Sequence, residues 1–278
     1  MNISVIVPTY NRPKALKLCL LSLAQQSLLP GEVMIADDGS TVETKHAVQD
    51  MQSMLKNSFP IRHIWQEDIG FRKPKILNET VRQTIGQYLI FIDGDCMAHR
   101  HFVRAHRDKS APKTILSGKR VEIGKRLTEK LLEEGVVLNS MTPRLLADLR
   151  GERSYRSRKL EEGLFIKNSL IRKLAHLDHL ADDAVTGCNF SLSKDLFIAI
   201  NGCDEDFLDG SVEDNDLGIR VLNQGGQVGS VRKLANIYHL WHKTTWNFES
   251  EKYRFNQKIF ERRIANKEPV CKNGIRQL

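Results

Sequence analysis

Four groups of residues in this chain are of types and spacings that do chemistry. The first is Asp93-Gly94-Asp95, two carboxylates one residue apart at the end of the apolar run 88–92. Carboxylates this close repel unless a cation lies between them. The spacing points to a divalent metal site, with a plain acidic turn as the alternative reading. The second is Glu213-Asp214-Asn215-Asp216, where three acids open a helical pattern and exceed what capping requires. The third is Arg72-Lys73-Pro74-Lys75, basic residues at a helix start whose free N–H groups and dipole also favour an anion. The fourth is His239 and His242, three apart in a strand-like stretch, where histidine is more often structural than a ligand.

These groups need a scaffold that brings them to one place. Residues 3–7, stopped by Pro8, and 33–36, stopped by Asp37-Asp38-Gly39-Ser40, read as short strands buried on both faces. Residues 61–65 and 88–92 continue the series, and Gly94 is expected to turn the backbone so that both aspartates face one crevice. Leu16, Leu20 and Leu23 recur at helical spacing behind Pro13, with Asn11 expected as their cap. A further helix is expected near 76–84. Such alternation implies a mostly parallel, Rossmann-like α/β sheet flanked by helices, with right-handed crossovers. On that sheet Thr9-Tyr10-Asn11-Arg12, Asp37-Asp38 and Asp93-Gly94-Asp95 all follow strand ends on one edge, the edge where open α/β sheets bind ligands. Downstream, Thr186-Gly187-Cys188-Asn189-Phe190-Ser191-Leu192 reads as a strand with a small-residue entrance, and the helix from Glu213 is expected to bury Leu217, Val221 and Leu222.

The 278 residues can bury a large core, and 27% charged with 41% hydrophobic residues is ordinary for a globular protein. A net charge of +8 favours anionic partners without choosing among nucleotides, nucleic acid and acidic membranes. Five cysteines without CxxC spacing argue against a disulfide framework or a structural zinc. No apolar run reaches the roughly 18–20 residues of a membrane span, and no signal-peptide pattern opens the chain, so a cytoplasmic setting is expected.

Taken in order, Val5-Ile6-Val7-Pro8-Thr9-Tyr10-Asn11-Arg12, Asp37-Asp38-Gly39-Ser40, the segment 70–78 and Asp93-Gly94-Asp95 resemble the linked motifs of family 2 glycosyltransferases with the GT-A fold. The resemblance implies a nucleotide-sugar donor, usually a uridine diphosphate sugar. It implies that Pro8, Thr9 and Tyr10, with Asn11 and Arg12 beside them, and Asp38 hold the nucleoside. Asp93 and Gly94 would lie at the ribose, and Asp95 on a metal bridging the diphosphate; Arg72 and Lys75 are the cations expected to meet the nucleotide. Glu213-Asp214-Asn215-Asp216-Leu217 is similar to the catalytic segment of inverting GT-A enzymes, especially galactosyl- and N-acetylgalactosaminyltransferases, although Gly210-Ser211-Val212 replaces the Trp-Gly-Gly that often precedes it. That implies Asp214 as the base that deprotonates the acceptor and Glu213 as a partner of sugar or acceptor hydroxyls. The same motif set supplies a metal-binding histidine, for which His242 fits best, with His239 a second ligand or a structural neighbour. Carboxylate plus imidazole suits Mn²⁺ better than Mg²⁺.

Four regions are expected: a nucleotide-sugar-binding half (1–118), a charged helical insertion (119–183), an acceptor and catalytic half (184–245) and a basic helical tail (246–278). In the insertion, Leu127, Leu131 and Leu132 share one helical face, and Leu170, Leu174 and Leu177 another. Its basic run, Arg150, Arg153, Arg156, Arg158 and Lys159 with Glu152, is expected to be a solvated loop, with a flexible lid over the donor or a patch for an acidic acceptor or membrane headgroups as the functional alternatives. The basic tail is expected to form a helix from Phe255, Ile259 and Phe260 and to pack on the catalytic domain, with an anionic membrane face met by its Lys and Arg residues as the alternative. Beyond the UDP-sugar donor, the implied partners are a bacterial surface-glycan or glycolipid acceptor and peripheral contact with the cytoplasmic face of the inner membrane. No nucleic acid is expected, because acidic clusters repel phosphate. A nucleotidyltransferase, the rival enzyme class, would show a Gly-rich phosphate loop after the first strand, where Pro8-Thr9-Tyr10-Asn11 stands instead.

Overall fold

The computed structural model describes residues 1–148, 156–179, 184–243 and 247–276. Its first part alternates β1 (Ile3–Thr9), α1 (Pro13–Ala24), β2 (Glu32–Asp37), α2 (Val42–Met54), β3 (Ile61–Trp65), α3 (Lys73–Arg82) and β4 (Tyr88–Phe91). The middle adds β5 (Cys96–Ala98), α4 (Phe102–Lys109), β6 (Thr114–Ser117), β7 (Arg120–Glu122), α5 (Lys125–Glu134), α6 (Pro143–Ala147) and α7 (Ser169–Leu174). The last part holds β8 (Phe190–Ser193), α8 (Lys194–Ala199), α9 (Glu213–Asn223), β9 (Gln227–Ser230), β10 (Ile237–His239) and α10 (Glu251–Asn266).

Seven strands form one sheet in the order β3-β2-β1-β4-β8-β6-β9. The β3-β2-β1-β4 half is parallel, and β8 enters antiparallel between β4 and β6. Because β8 runs backwards, its entrance at Phe190 lies opposite Phe91 and meets the exits of β1, β2 and β4 on one edge. Successive side chains point to opposite faces, so each strand feeds two cores. Val5, Val7 and Ile90 pack with Leu16, Leu20, Val48 and Met51 of α1 and α2. Ile6, Leu89 and Phe91 pack on the other face with Ile76, Val81, Phe197 and Leu217, where the Phe91 and Phe190 rings stack with centroids 4.3 Å apart.

A second sheet, β5-β10-β7, crosses the same edge. Its Tyr238 and Leu240 pack on Leu127, Leu131 and Leu145 of α5 and α6, so the 119–183 stretch joins this sheet through β7. In the basic run, Arg158 and Lys159 are ion-paired to Glu122, while Arg150, Glu152 and Arg153 lie outside the described residues. The tail helix α10 packs on α9, with Ile259 and Phe260 against Phe207 and Val212. All five cysteines are buried and free. Among the described residues no helix is long and apolar enough to cross a membrane.

Three expectations need correction. Asn11 does not cap α1. It adopts a left-handed backbone (φ 49°), and its side chain instead accepts from Thr41 N–H at 2.8 Å, bracing the entrance to α2. Leu222 is 37% exposed, while Leu217 and Val221 are buried. In α7 the residue turned inward is Arg172, and Leu170 and Leu174 face solvent at 63% and 73% exposure; only Leu177 of that trio is buried.

Candidate active site

The exits of β1 and β4 are fastened together: Gly94 N–H donates to the Pro8 carbonyl at 2.9 Å. A Cβ at Gly94 would stand 3.0 Å from that oxygen, so glycine serves close approach here rather than a left-handed turn. Beside this junction opens a cavity of about 450 Å³ lined by Pro8, Thr9 and Tyr10, by Arg12 and Asp38, and by Asp93, Gly94, Asp95 and His242. Asp37 is not part of it; buried, it accepts from Ser40 N–H (2.8 Å) and pairs with His63 (2.8 Å), shaping the turn. Asp38 accepts from Arg72 N–H (3.0 Å) and Gln66 (2.5 Å), and burial raises its carboxyl above the usual range. Tyr10 is held over the mouth by its hydroxyl, which donates to Asp68 at 2.8 Å.

The expected basic residues separate. Arg72 contributes its backbone N–H, and its guanidinium turns away to the Glu67 carbonyl. Lys75 lies on the exposed face of α3, away from the cavity. Lys73 reaches the site instead, with Nζ 3.6 Å from Asp93 and 3.8 Å from Glu213. Helical spacing contained this signal: Lys73 stands three and four residues before the buried Ile76 and Leu77, whereas Lys75 is on the opposite side.

At the other end of the cavity Asp95 gathers a guanidinium and two imidazoles. Arg12 donates to Oδ2 at 2.6 Å, and the Nε2 atoms of His239 and His242 each lie 3.5 Å from a carboxylate oxygen. Burial pushes the Asp95 carboxyl up, but His239, Arg12 and His242 outweigh it and hold it below the usual range. Cys96 is adjacent, its Sγ 3.7 Å from Asp95 Oδ1, but burial keeps it a neutral thiol and a poor ligand. Asp95, Cys96 and His239 each place a potential ligand atom within 4.8 Å of the others, and His242 also approaches Asp95, a donor set that fits a divalent cation. The two histidines are thus brought together at Asp95, although only His242 also lines the cavity.

A gap of only about 10 Å³, room for about one water, adjoins the cavity through Pro8 and Lys73 and is closed by Gly187, Glu213 and Asp214. Gly187 makes room for the Asp214 carboxylate: a Cβ there would fall 1.8 Å from Oδ2. Neither the need for this glycine nor its partner could be read along the chain. Three carboxylates, Asp93, Glu213 and Asp214, share the one ammonium of Lys73. Burial and then the Asp214 charge push Glu213 up to about 8, so this carboxyl is neutral at pH 7. Burial raises Asp214 as well, opposed by Lys73 and Arg120. The carboxylates outweigh burial at Lys73 and keep it an ammonium. The third acid of the cluster serves structure: Asp216 is fully buried, paired with Arg220 (2.8 Å) and with Arg263 of α10 (2.5 Å).

This geometry can be set against known proteins. The glycosyl transferase family 2 model matches residues 4–162, and the model described as the N-terminal domain of galactosyltransferase matches 175–243. Chondroitin synthase of Escherichia coli is 25% identical over 244 residues, covering 85% of this chain and 34% of the relative. Staphylococcus aureus TarS 1–349 in complex with UDP-GlcNAc superposes with TM-score 0.59 at 18% identity, over 96% of this chain and 69% of that one. GalNAc-T7 with UDP, GalNAc and Mn²⁺ gives 0.63 at 12% identity, over 94% and 48%. The chain spans about a quarter to a third of the length of the first curated relatives it matches. At these identities the superpositions establish the fold, which is GT-A. The β1, β2 and β4 exits that build the cavity all lie within the stretch matched by the first model, which covers more than half of the sequence, and on that ground the chain belongs to glycosyl transferase family 2.

Proposed function

We propose that this chain transfers a hexose or N-acetylhexosamine, with inversion, from a uridine diphosphate sugar to a hydroxyl of a bacterial surface glycan or glycolipid. The observation that carries the reading is that the cavity with Asp95 and His242 at one end lies directly beside the Asp214 carboxylate. Only a gap of about 10 Å³ separates them, with Pro8 and Lys73 lining both. Further support comes from the relatives, which make or modify glycans, and from the UDP complexes among similar folds.

Inversion requires a base on the side of the anomeric carbon opposite the leaving group. Asp214 takes the acceptor's proton as its oxygen attacks, and its raised affinity for a proton brings it nearer to neutrality, where a general base is most effective. Neutral Glu213 can donate a hydrogen bond to a sugar or acceptor hydroxyl and adds no second negative charge beside the base. Lys73 holds Asp93 and Glu213 in place and balances the charge of Asp93 and Asp214. Tyr10, Asp38 and Pro8 form the nucleoside end. Asp95, His239 and His242 would hold the divalent cation, manganese in preference to magnesium, which when bound stabilises charge on the departing diphosphate. The four-part division at 1–118, 119–183, 184–245 and 246–278 is proposed with the donor in the first part and the base in the third.

Release of uridine diphosphate, measured across a panel of UDP- and GDP-sugars with manganese, magnesium or chelator, tests the reading. Turnover of a UDP-sugar that chelator abolishes and manganese restores is expected. Release indifferent to chelator would remove the metal, and release from GDP-sugars alone would replace the donor.

A further inference from the structure

Helix α7 is built inside out. Its buried residue is Arg172, 2% exposed, whose guanidinium donates to Asp178 Oδ1 at 2.9 Å and to the carbonyls of Arg232 (2.8 Å) and Leu177 (3.2 Å). Its outward face carries Leu170, Ile171 and Leu174 at 63%, 51% and 73% exposure, spaced i, i+1 and i+4 on one side. Just before it, Leu164 and Phe165 are also exposed, at 49% and 37%. This face is held rigidly, since Asn168 caps the helix by accepting from Ile171 N–H at 3.0 Å and Phe165 stacks on His99 at 4.8 Å. A helix in water places its charges outward and its leucines inward. Here the order is reversed and fixed, which suits an apolar medium outside the protein.

The charge around the face selects the medium. From Leu164 to Leu177 the chain carries Lys167, Arg172 and Lys173 and no acid. Arg100, Arg104 and Lys167 crowd His101, whose ring lies 5.1 Å from Phe165. Of the acids alongside, Glu162 pairs with Arg232 and Asp178 with Arg172 and Lys109, and Glu161 is exposed. Apolar side chains ringed by exposed cations match an anionic bilayer surface, into which the leucines insert while the cations meet headgroup phosphates. A second copy of the chain would bring like charges together. Phe165 of this face stacks on His99, which follows β5 at the end away from Cys96 and Asp95, about three residues or ~10 Å along the strand.

We propose that the exposed face of Leu164, Phe165, Leu170, Ile171 and Leu174, with Lys167 and Lys173, docks this protein on an anionic lipid bilayer. Vesicle co-sedimentation of the full chain, with no sugar donor present, tests this independently of glycosyl transfer. Binding to phosphatidylglycerol–phosphatidylcholine vesicles, and weaker binding to phosphatidylcholine alone, is expected. Leu170→Ser with Leu174→Ser should lower the partition coefficient at least about 10-fold with an unchanged melting temperature, because both side chains already face water. Lys167→Glu with Lys173→Glu should remove the preference for the anionic lipid. Failure of the wild-type chain to sediment with vesicles would overturn the proposal, as would unchanged binding by the leucine variant. Conversion of a dimer to a monomer by that variant, with vesicle binding unchanged, would assign the face to a second copy.

Discussion

At the scale of the residue, the site depends on two opposite charge clusters, a lysine among three carboxylic groups and a carboxylate among a guanidinium and two imidazoles. Around Lys73 stand Asp93, Glu213 and Asp214, and around Asp95 stand Arg12, His239 and His242. The carboxylates were legible in the sequence because Asp-Gly-Asp after an apolar run and three acids at a helix start are unusual locally. Lys73 was legible only through its helical spacing from Ile76 and Leu77, and Gly187 and the true partner of Asn11 were not legible, because each is defined by a neighbour distant in sequence. Gly187 gives a sharp test. A methyl group there would overlap the Asp214 carboxylate, so Gly187→Ala is expected to lower turnover by about 10²-fold, the cost of a misplacement near 1 Å, with UDP affinity by calorimetry little changed. His242→Ala is expected to raise the half-saturating manganese concentration by on the order of 10-fold, read by metal titration of turnover. An unchanged titration would remove His242 from the metal site.

Elements hold these residues by burying charge as well as apolar surface. α9 presents Glu213 and Asp214 to the gap beside the cavity from its first turn, and the same turn points Asp216 into the protein. Asp216 meets Arg220 of its own helix and Arg263 of α10, which also pairs with Asp204 at 2.8 Å. The tail helix is therefore clamped onto the helix that carries the proposed base. Arg263→Ala leaves Asp204 and Asp216 buried with a cation removed and is expected to cost about 3–5 kcal/mol in urea unfolding. A loss below about 1 kcal/mol, the range of exposed pairs, would show that the clamp does not hold. The helical pattern of α10 was readable from Ile259 and Phe260, but nothing in Arg262-Arg263 tells which of the two turns inward. In α7 the leucine spacing was read as a core face, and the structure reverses it because the Arg172 guanidinium finds Asp178 and several carbonyls inside. Periodicity located both helices, and only tertiary partners decided which face was buried.

For the molecule as a whole, the parallel half-sheet followed from alternating strands and helices, while the antiparallel insertion of β8 could not, since it depends on a pairing between β4 and a strand about a hundred residues later. The site straddles that joint, which links it to global stability. Burial pushes His99 down to about 4 and His106 to about 3, so the unfolded chain binds their protons more readily and stability falls as pH drops below about 6.5. Glu213 acts in the opposite sense. Raised to about 8 from an ordinary 4.5, it binds its proton more tightly when folded, so its contribution is complete below 4.5 and lost as pH rises through 8. A stability maximum between these limbs is expected in denaturant midpoints against pH, and Glu213→Gln should flatten the alkaline limb and leave the acid limb intact. An unaltered alkaline limb would show Glu213 ionised throughout. The central claim is that donor and cation are held at one end while Asp214 takes the proton at the other. The most direct measurement compares Asp214→Asn with the wild type in manganese-dependent turnover and in UDP-sugar affinity. Turnover lower by about 10²–10⁴ with affinity unchanged is the expected result, and near-normal turnover in that variant would contradict it.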